Sequence, residues 1–243
     1  MSLAVGVMAR APVAGSCKTR LLGAFDATWV AELYGAMLLD TLATLERLEA
    51  ATQIVFLAPG EGAEAALAPL LPSGWQLVLQ CGDDLGARID HAFATMFERG
   101  AGCAVVSGSD APTFRFEPLA EALSSMRERS GEVLLAPCDD GGYSLVALTR
   151  REPRLFASMP WSTSSVLAET RRRADASNLH TRELTTGYDV DEPADVSRLA
   201  EELRDAPQRA PRTARVLEGS AASMRQAQNG GRAPRSSGHT RRT

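Results

Sequence analysis

Short apolar runs rich in β-formers recur along this chain, and segments with apolar residues at helical spacing separate them. The runs are Leu3–Met8, Gln53–Leu57, Trp75–Leu79, Ala104–Val106, Val133–Ala136 and Ser144–Leu148. Between them lie "ATWVAELYGAMLLDTLATLERL", "EAALAPLL", "LGARIDHAFATMFERG" and "EPLAEALSSMRER". A strand covered on both faces reads as a continuous apolar run, and its parallel neighbour is reached through a crossover helix. The alternation therefore predicts an α/β domain: a three-layer, Rossmann-like sheet, mixed but mostly parallel, with helices on both faces. One stretch breaks the rhythm. "CDDGGY" leaves no room for a helix, and its Asp-Gly turn predicts a hairpin and hence an antiparallel pair. A last helix is expected over Glu192–Leu203, started by Asp191 and with Pro193 in its first turn.

In such a sheet, ligands bind beyond the carboxyl ends of the strands. The segments that fall there are the loop after the first run, Ser107–Pro112 and Asp139–Gly142. The first of these, "GVMARAPVAGSCKTRL", holds Lys18, the one lysine of the chain; the remaining basic side chains are arginine. Its glycine spacing is neither that of a Walker A loop nor GxGxxG. What remains is a small-residue loop with Arg10, Lys18, Thr19 and Arg20 converging near a helix start. Backbone N–H groups and cations arranged so suit a di- or triphosphate; the alternative is a strand–helix connection whose charges face water.

The 243 residues, 44% apolar, suffice for one domain with a sizeable core. The net charge of -4 hides an asymmetry, because Pro207–Thr243 carries eight arginines against Glu218. The remainder is then acidic, which argues against nucleic acid as the main partner. The segment 207–243 lacks apolar periodicity and is rich in Gly, Pro, Ser and Arg. It reads as a disordered tail following an ordered domain of residues 1–206. Cys17, Cys81, Cys103 and Cys138 are widely spaced, without metal-site or disulfide patterning, as suits a reducing cytoplasm. The N-terminus lacks signal-peptide features, and no apolar run nears the ~20 residues of a membrane span. A cytoplasmic protein is expected. No motif bears on oligomeric state.

"ARAPVAGSCKTRL", "GDDLGARIDHAF", "SGSDAPTF", "APCDDGGYSLVAL", "PWSTSSVLAET" and "DVDEPADVSRL", in this order, resemble a bacterial glycosyltransferase-like family of unknown function. That family lies in the nucleotide-diphospho-sugar transferase superfamily, with the glycosyltransferase-A fold. Molybdenum-cofactor and phospholactate guanylyltransferases are more distant relatives. The resemblance spans roughly residues 3–204. It departs at Arg10, where lysine is common, and at Asp139, where glutamate is common.

The resemblance implies a nucleotide site built from Ala9, Arg10, Gly15, Lys18, Thr19 and Arg20, with Asp84 and Arg88 flanking base and ribose. It places Asp140, Gly141 and Gly142 at an acceptor pocket, with Trp161 as an apolar wall and Ser162 as a donor opposite. For Asp140–Gly142 a plain hairpin turn, and for Ser162 a helix N-cap, are the alternatives. Asp110 lies just past an apolar run, where one carboxylate can hold Mg²⁺ or Mn²⁺ against phosphates; capping a turn before Pro112 is the alternative. Glycosyltransferases of this fold usually carry Asp-x-Asp here, but residue 108 is glycine, which resembles the nucleotidyltransferase branch. Asp191 is a second metal candidate and Asp189 a weaker one, with Asp191 equally placed to cap the last helix. His91, His180 and His239 form no triad with a nucleophile elbow.

The expected function is metal-dependent transfer of a nucleotidyl group from a nucleoside triphosphate to a small phosphorylated or hydroxyl acceptor, with Lys18 and Asp110 as the catalytic pair. Glycosyl transfer from a nucleotide sugar, or nucleotide binding without turnover, are the alternatives.

Overall fold

The computed structural model describes residues 1–126 and 128–219. Among these, seven strands form one sheet: β1 Leu3–Ala9, β2 Thr52–Leu57, β3 Gln76–Leu79, β4 Cys103–Ser107, β5 Glu132–Pro137, β6 Tyr143–Leu148 and β7 His180–Glu183. Their order is β3-β2-β1-β4-β6-β5-β7. Only β6 runs against its neighbours, with Ala147 opposite Val105 of β4 and Leu134 of β5. The mixed, mostly parallel sheet and the 138–142 hairpin are therefore as expected. β4 and β5 are buried throughout, which is why their sequences are apolar apart from Ser107 and Glu132 at their ends.

β7 is not visible as a run, because "HTRE" has no apolar face to alternate. It forms by parallel pairing with β5, from Glu132–His180 to Leu135–Glu183. Arg182 also meets the buried Glu132 carboxylate at 2.8 Å.

Among the described residues the sheet is flanked by α1 Ala27–Glu46, α2 Ala63–Leu67, α3 Leu85–Glu98, α4 Phe116–Met126, α5 Val166–Ala176 and α6 Pro193–Asp205, with a further helical segment at 211–219. Leu3, Val5 and Val7 cluster on one face with Leu38 and Leu42 of α1 and Leu119 and Leu123 of α4. On the other face Phe56, Val106 and Val146 cluster with Ile89 and Phe93 of α3 and Leu167 of α5. The outer side of α1 is covered in turn: Val30, Leu33 and Met37 join Leu21 and the α6 residues Val196, Leu199 and Leu203.

That third cluster corrects the expected boundary at 206. Residues 211–219 are helical, and Ala210, Ala214 and Leu217 are buried in the same cluster. Asp40 of α1, 2% exposed, accepts from Thr213 N at 2.8 Å and Thr213 Oγ1 at 2.9 Å. A buried carboxylate thus finds the free N–H groups of a helix start, and each satisfies the other. Arg209 reaches Glu202 and the Thr113 carbonyl. Arginine spacing disguises this segment, because its apolar contacts are few: Ala214, Val216 and Leu217. The rest of the expected tail, 220–243, lies outside the described residues.

Candidate functional site

The loops after β1, β4 and β5 open on one edge of the sheet, as parallel strands require. β6 runs the other way, so its first residues, Tyr143 and Ser144, lie there too.

The first loop is turned by Gly15, at φ 79°, and by hydrogen bonds such as Ser16 N to Val13 O at 3.0 Å. Lys18 then takes a left-handed backbone, φ 45° and ψ 48°, just before the short helical turn Thr19–Leu21. A non-glycine residue there is strained, and such strain is retained where the side chain must be aimed. The aim is visible. Lys18 Nζ lies 2.7 Å from Asp110 Oδ2 and 2.8 Å from Asp191 Oδ1, with its side chain only 7% exposed. Arg20 holds the second Asp191 oxygen at 2.7 Å. Burial pulls the lysine pKa down, but Asp110 and then Asp191 outweigh it and hold the ammonium above its ordinary value. Asp191 is pushed up by burial, yet Lys18 and Arg20 hold it below the usual carboxylate range.

Tyr34 of α1 braces this corner, accepting from Arg10 N and meeting Ser109 Oγ, both at 2.9 Å. Behind it, a side-chain carbon on Gly108 would stand 3.0 Å from Asp110 Oδ1. Glycine at 108 is therefore part of how Asp110 is seated. An Asp-x-Asp pair would crowd that carboxylate.

Asp191 is not the helix cap. Glu192 is the N-cap of α6, in a capping box with Asp195, whose Oδ2 also accepts from Asp191 N at 3.0 Å. The carboxylate of Asp191 is thereby left to the cations. Asp84 is corrected in the opposite sense: it caps α3, accepting from Ala87 N at 2.8 Å, and its exposed side chain does not line the cleft. Gly15 serves the turn and does not line the cleft.

Two cavities meet at Asp110 and Asp191. One, of about 420 Å³, is lined by Ala9, Arg10, Lys18, Thr19, Arg20 and Arg88, together with Tyr34, Gln80 and Ser109. The other, of about 480 Å³, is lined by Asp140, Gly142, Trp161, Ser162 and Asp189, with Arg20 at its edge. Of the residues expected at the nucleotide, Ala9, Arg10, Lys18, Thr19 and Arg88 line the first lobe and Arg20 lines both; of those expected at the acceptor, Asp140, Gly142, Trp161 and Ser162 line the second. Gly141 is set back from the second lobe at φ 88°, and a side-chain carbon there would lie 2.3 Å from the Ser164 carbonyl oxygen. This contact and Leu167 N to Gly141 O, 2.9 Å, press the hairpin against the 160–165 segment. Ser162, at φ 63°, is no N-cap; that position before α5 belongs to Ser165. Trp161 stands edge-on to Tyr143, with ring centroids 6.5 Å apart.

Asp189 carries more weight here than its sequence context suggests. Its carboxyl is pushed up to about 6, by burial first and then by Asp110 and Asp140. The neighbouring Cys138 thiol is pushed up to about 12, again by burial and then by Asp189, so it stays neutral. Oxygens of Asp110, Asp189 and Asp191 lie within 4.8 Å of one another. Three carboxylates at that spacing are a hard-oxygen set suited to Mg²⁺ or Mn²⁺. The lysine bridging two of them shows that the pair already draws a cation. Sequence reasoning misses Gln80, which bonds the Phe56 and Ala9 carbonyls through Nε2 at 2.7 and 3.3 Å, and likewise Tyr34 and Ser109. Gln80 follows the end of a recognised strand, so its position is a usable signal.

Among solved structures, the chain is similar to a protein of Desulfovibrio desulfuricans G20 provisionally assigned as a nucleotide-diphospho-sugar transferase. The identity is 28% and the TM-score 0.82, over 93% of this chain and 98% of that one. It shares the fold of CMP:2-keto-3-deoxy-manno-octonic acid synthetase complexed with CTP, at 14% identity and TM-score 0.54 over 84% and 99% of the two chains. It also shares the fold of Rv0371c from Mycobacterium tuberculosis in complex with manganese, at 21% identity and TM-score 0.53 over 83% and 99%. No curated protein sequence matches. No helix among the described residues is long and apolar enough to cross a membrane. The family model described as "Uncharacterized protein conserved in bacteria (DUF2064)" matches residues 41–163, half of the sequence, and the chain belongs to that family.

Proposed function

We propose that this protein is a nucleotide-using transferase that moves a nucleotidyl group from a nucleoside triphosphate to a small acceptor. One observation carries the reading: Lys18 is clamped between Asp110 and Asp191 where a basic lobe meets an acidic one. The triphosphate would occupy the basic lobe, its phosphates facing Lys18, Arg20 and Arg10, with Arg88 and Gln80 toward the nucleoside. The acceptor oxygen would approach the α-phosphorus from the other lobe. A new oxygen–phosphorus bond forms as the bond to the pyrophosphate oxygen breaks, and a hydroxyl acceptor's proton passes to a cleft carboxylate and then to water. Positioning and fixed charge supply the catalysis, so no activated nucleophile is needed. Asp110, Asp189 and Asp191 would hold Mg²⁺ or Mn²⁺, which neutralises phosphate charge when bound. Gly108 favours nucleotidyl over glycosyl transfer, because it leaves this loop with one carboxylate.

The test is a melting-temperature screen against nucleoside triphosphates and nucleotide sugars, with and without Mn²⁺, followed by product analysis. A triphosphate should raise the melting temperature and release pyrophosphate when acceptor is supplied. Nucleoside diphosphate as product would assign glycosyl transfer. No shift with any nucleotide would remove the reading altogether.

A further inference from the structure

The two lobes are unequally equipped for phosphate. The basic lobe sets Arg10, Lys18, Arg20 and Arg88 against Asp110 and Asp191. The larger lobe is lined by Asp110, Asp140, Asp189 and Asp191, and among the described residues Arg20 is its one lining cation. Arg20 is shared with the basic lobe, where on the proposed reading it faces the donor's phosphates, and it is paired with Asp191 at 2.7 Å. A phosphate or carboxylate entering this lobe would meet carboxylates with no free cation to receive it. A divalent cation held by Asp110, Asp189 and Asp191 would still leave Asp140 facing the newcomer, and the donor's phosphates add more negative charge. Like charges brought together in a partly desolvated cleft are strongly unfavourable.

The rest of the lining has a different character. Trp161, Tyr143, Leu85, Ile89 and Val106 supply apolar wall. Ser162, Thr163 and Ser164 bring hydroxyls along one rim, and Asp140 is fixed by accepting from Gly142 N at 2.8 Å. Aromatic faces, hydroxyls and a fixed carboxylate are groups that bind hydroxyl-bearing molecules: the ring takes the C–H face and the carboxylate accepts from O–H. About 480 Å³ is room for a molecule of that kind.

We propose that this lobe takes an uncharged, hydroxyl-bearing acceptor with an apolar face, such as a glycoside or an alcohol, and rejects phosphorylated acceptors. This rests on the reading of the cleft as the acceptor side of a nucleotide-using transferase. It narrows the acceptor to one chemistry: the nucleophile is a neutral hydroxyl, and Asp140 is a specificity-determining residue.

Two probes test it on the full chain: phenyl β-glucoside and its 6-phosphate, titrated by saturation-transfer NMR in metal-free buffer. The neutral glycoside should bind, Trp161→Ala should weaken it, and the 6-phosphate should bind at least tenfold more weakly. Asp140→Asn keeps the shape and removes the charge, so it should narrow the gap between the two probes several-fold. A 6-phosphate that binds as well as the glycoside or better, or a glycoside that does not bind, would overturn the proposal. An unchanged gap in a folded Asp140→Asn would overturn the role given to that residue. Nucleotide melting shifts are read separately. If they occur and the glycoside fails, the acceptor class is wrong and the transferase reading stands; if no nucleotide shifts the melting, that reading falls whatever the probes do.

Discussion

The basic lobe and the acidic lobe share Asp110 and Asp191, yet they are built by different means. The basic lobe takes three of its four cations from one loop, braced by Tyr34 and aimed by a left-handed lysine, and the fourth, Arg88, from α3. The acidic lobe is assembled from the β5–β6 hairpin, the 160–165 segment and the stretch before α6, held in register by backbone contacts such as Leu167 N to Gly141 O. The first arrangement concentrates positive charge that a phosphate can use. The second concentrates negative charge that only a cation or a neutral hydroxyl can use.

The sharpest way to break this division is to remove its hinge. Lys18→Ala should weaken nucleoside triphosphate binding roughly 10- to 100-fold, since a hydrogen bond to a charged group contributes about 1.5–3 kcal/mol. It should leave glycoside binding in the other lobe within twofold. Calorimetry with both ligands checks this, and equal losses in both lobes would mean that the lobes are not independent. Lys18→Arg should recover only part of the loss, because a planar fork does not fit between two carboxylates that hold a compact ammonium at 2.7 and 2.8 Å.

Asp110→Asn strikes the shared edge from the other side. A ligand at 100 times its Kd adds about 2.7 kcal/mol of stability, roughly 5–10 °C at about 2–4 °C per kcal/mol. The Mn²⁺-dependent share of that shift should vanish in the variant, while metal-free nucleotide binding persists or strengthens. Melting curves with nucleotide, with and without Mn²⁺, decide it. A full Mn²⁺ effect in Asp110→Asn would show that Asp110 is no ligand.

The loop side of the basic lobe is legible in the amino-acid sequence, because Arg10, Lys18, Thr19 and Arg20 declare themselves within eleven positions. The six strands with apolar runs are legible for a similar local reason. What escapes depends on partners distant in sequence. β7 has no apolar pattern of its own and exists through β5. The helical segment 211–219 is held by Asp40 and by few apolar contacts, so its arginines suggest solvent. Asp84 looks like a ligand-facing residue but satisfies α3, whereas Asp191, equally placed to cap, pairs with Lys18 and Arg20 because Glu192 and Asp195 do the capping. Asp and Glu serve both purposes equally well. Only the fold shows which carboxylate is left over.

A smaller effect should separate the lobes from the acceptor side. Gly141→Ala places a side chain at φ 88° and 2.3 Å from the Ser164 carbonyl oxygen. Backbone strain of this kind costs about 1–3 kcal/mol, roughly 2–12 °C in melting temperature. Glycoside binding should drop with it, because the hairpin and the 160–165 segment must part. Nucleotide affinity should hold, and a matching loss there would tie the two lobes into one unit.

Asp189→Asn should give the smallest and most diagnostic change. The carboxyl is pushed up to about 6 from an ordinary value near 3.8. Between those values the folded chain keeps a proton that the unfolded chain has released. Stability from this group is therefore full below the lower value and is lost as pH rises through the upper one. Asp191 is held low, so its contribution behaves oppositely and is lost only in more acidic solution. The two windows do not overlap near neutrality. Asparagine cannot ionise, so the variant should melt higher than wild type at pH 7 without metal. Asp189 is only half-buried and solvent screens much of the shift, so the gain is about 1 kcal/mol, or roughly 2–4 °C. The difference should close by about pH 3, below the ordinary value near 3.8, where Asp189 is largely protonated in both states. Saturating Mn²⁺ should reverse the order at pH 7, because an anionic oxygen that is costly without a cation becomes a ligand with one. A gain that is the same at both pH values would show that the carboxylates around Asp189 do not crowd it, and the acidic lobe would lose the charge on which its selectivity rests.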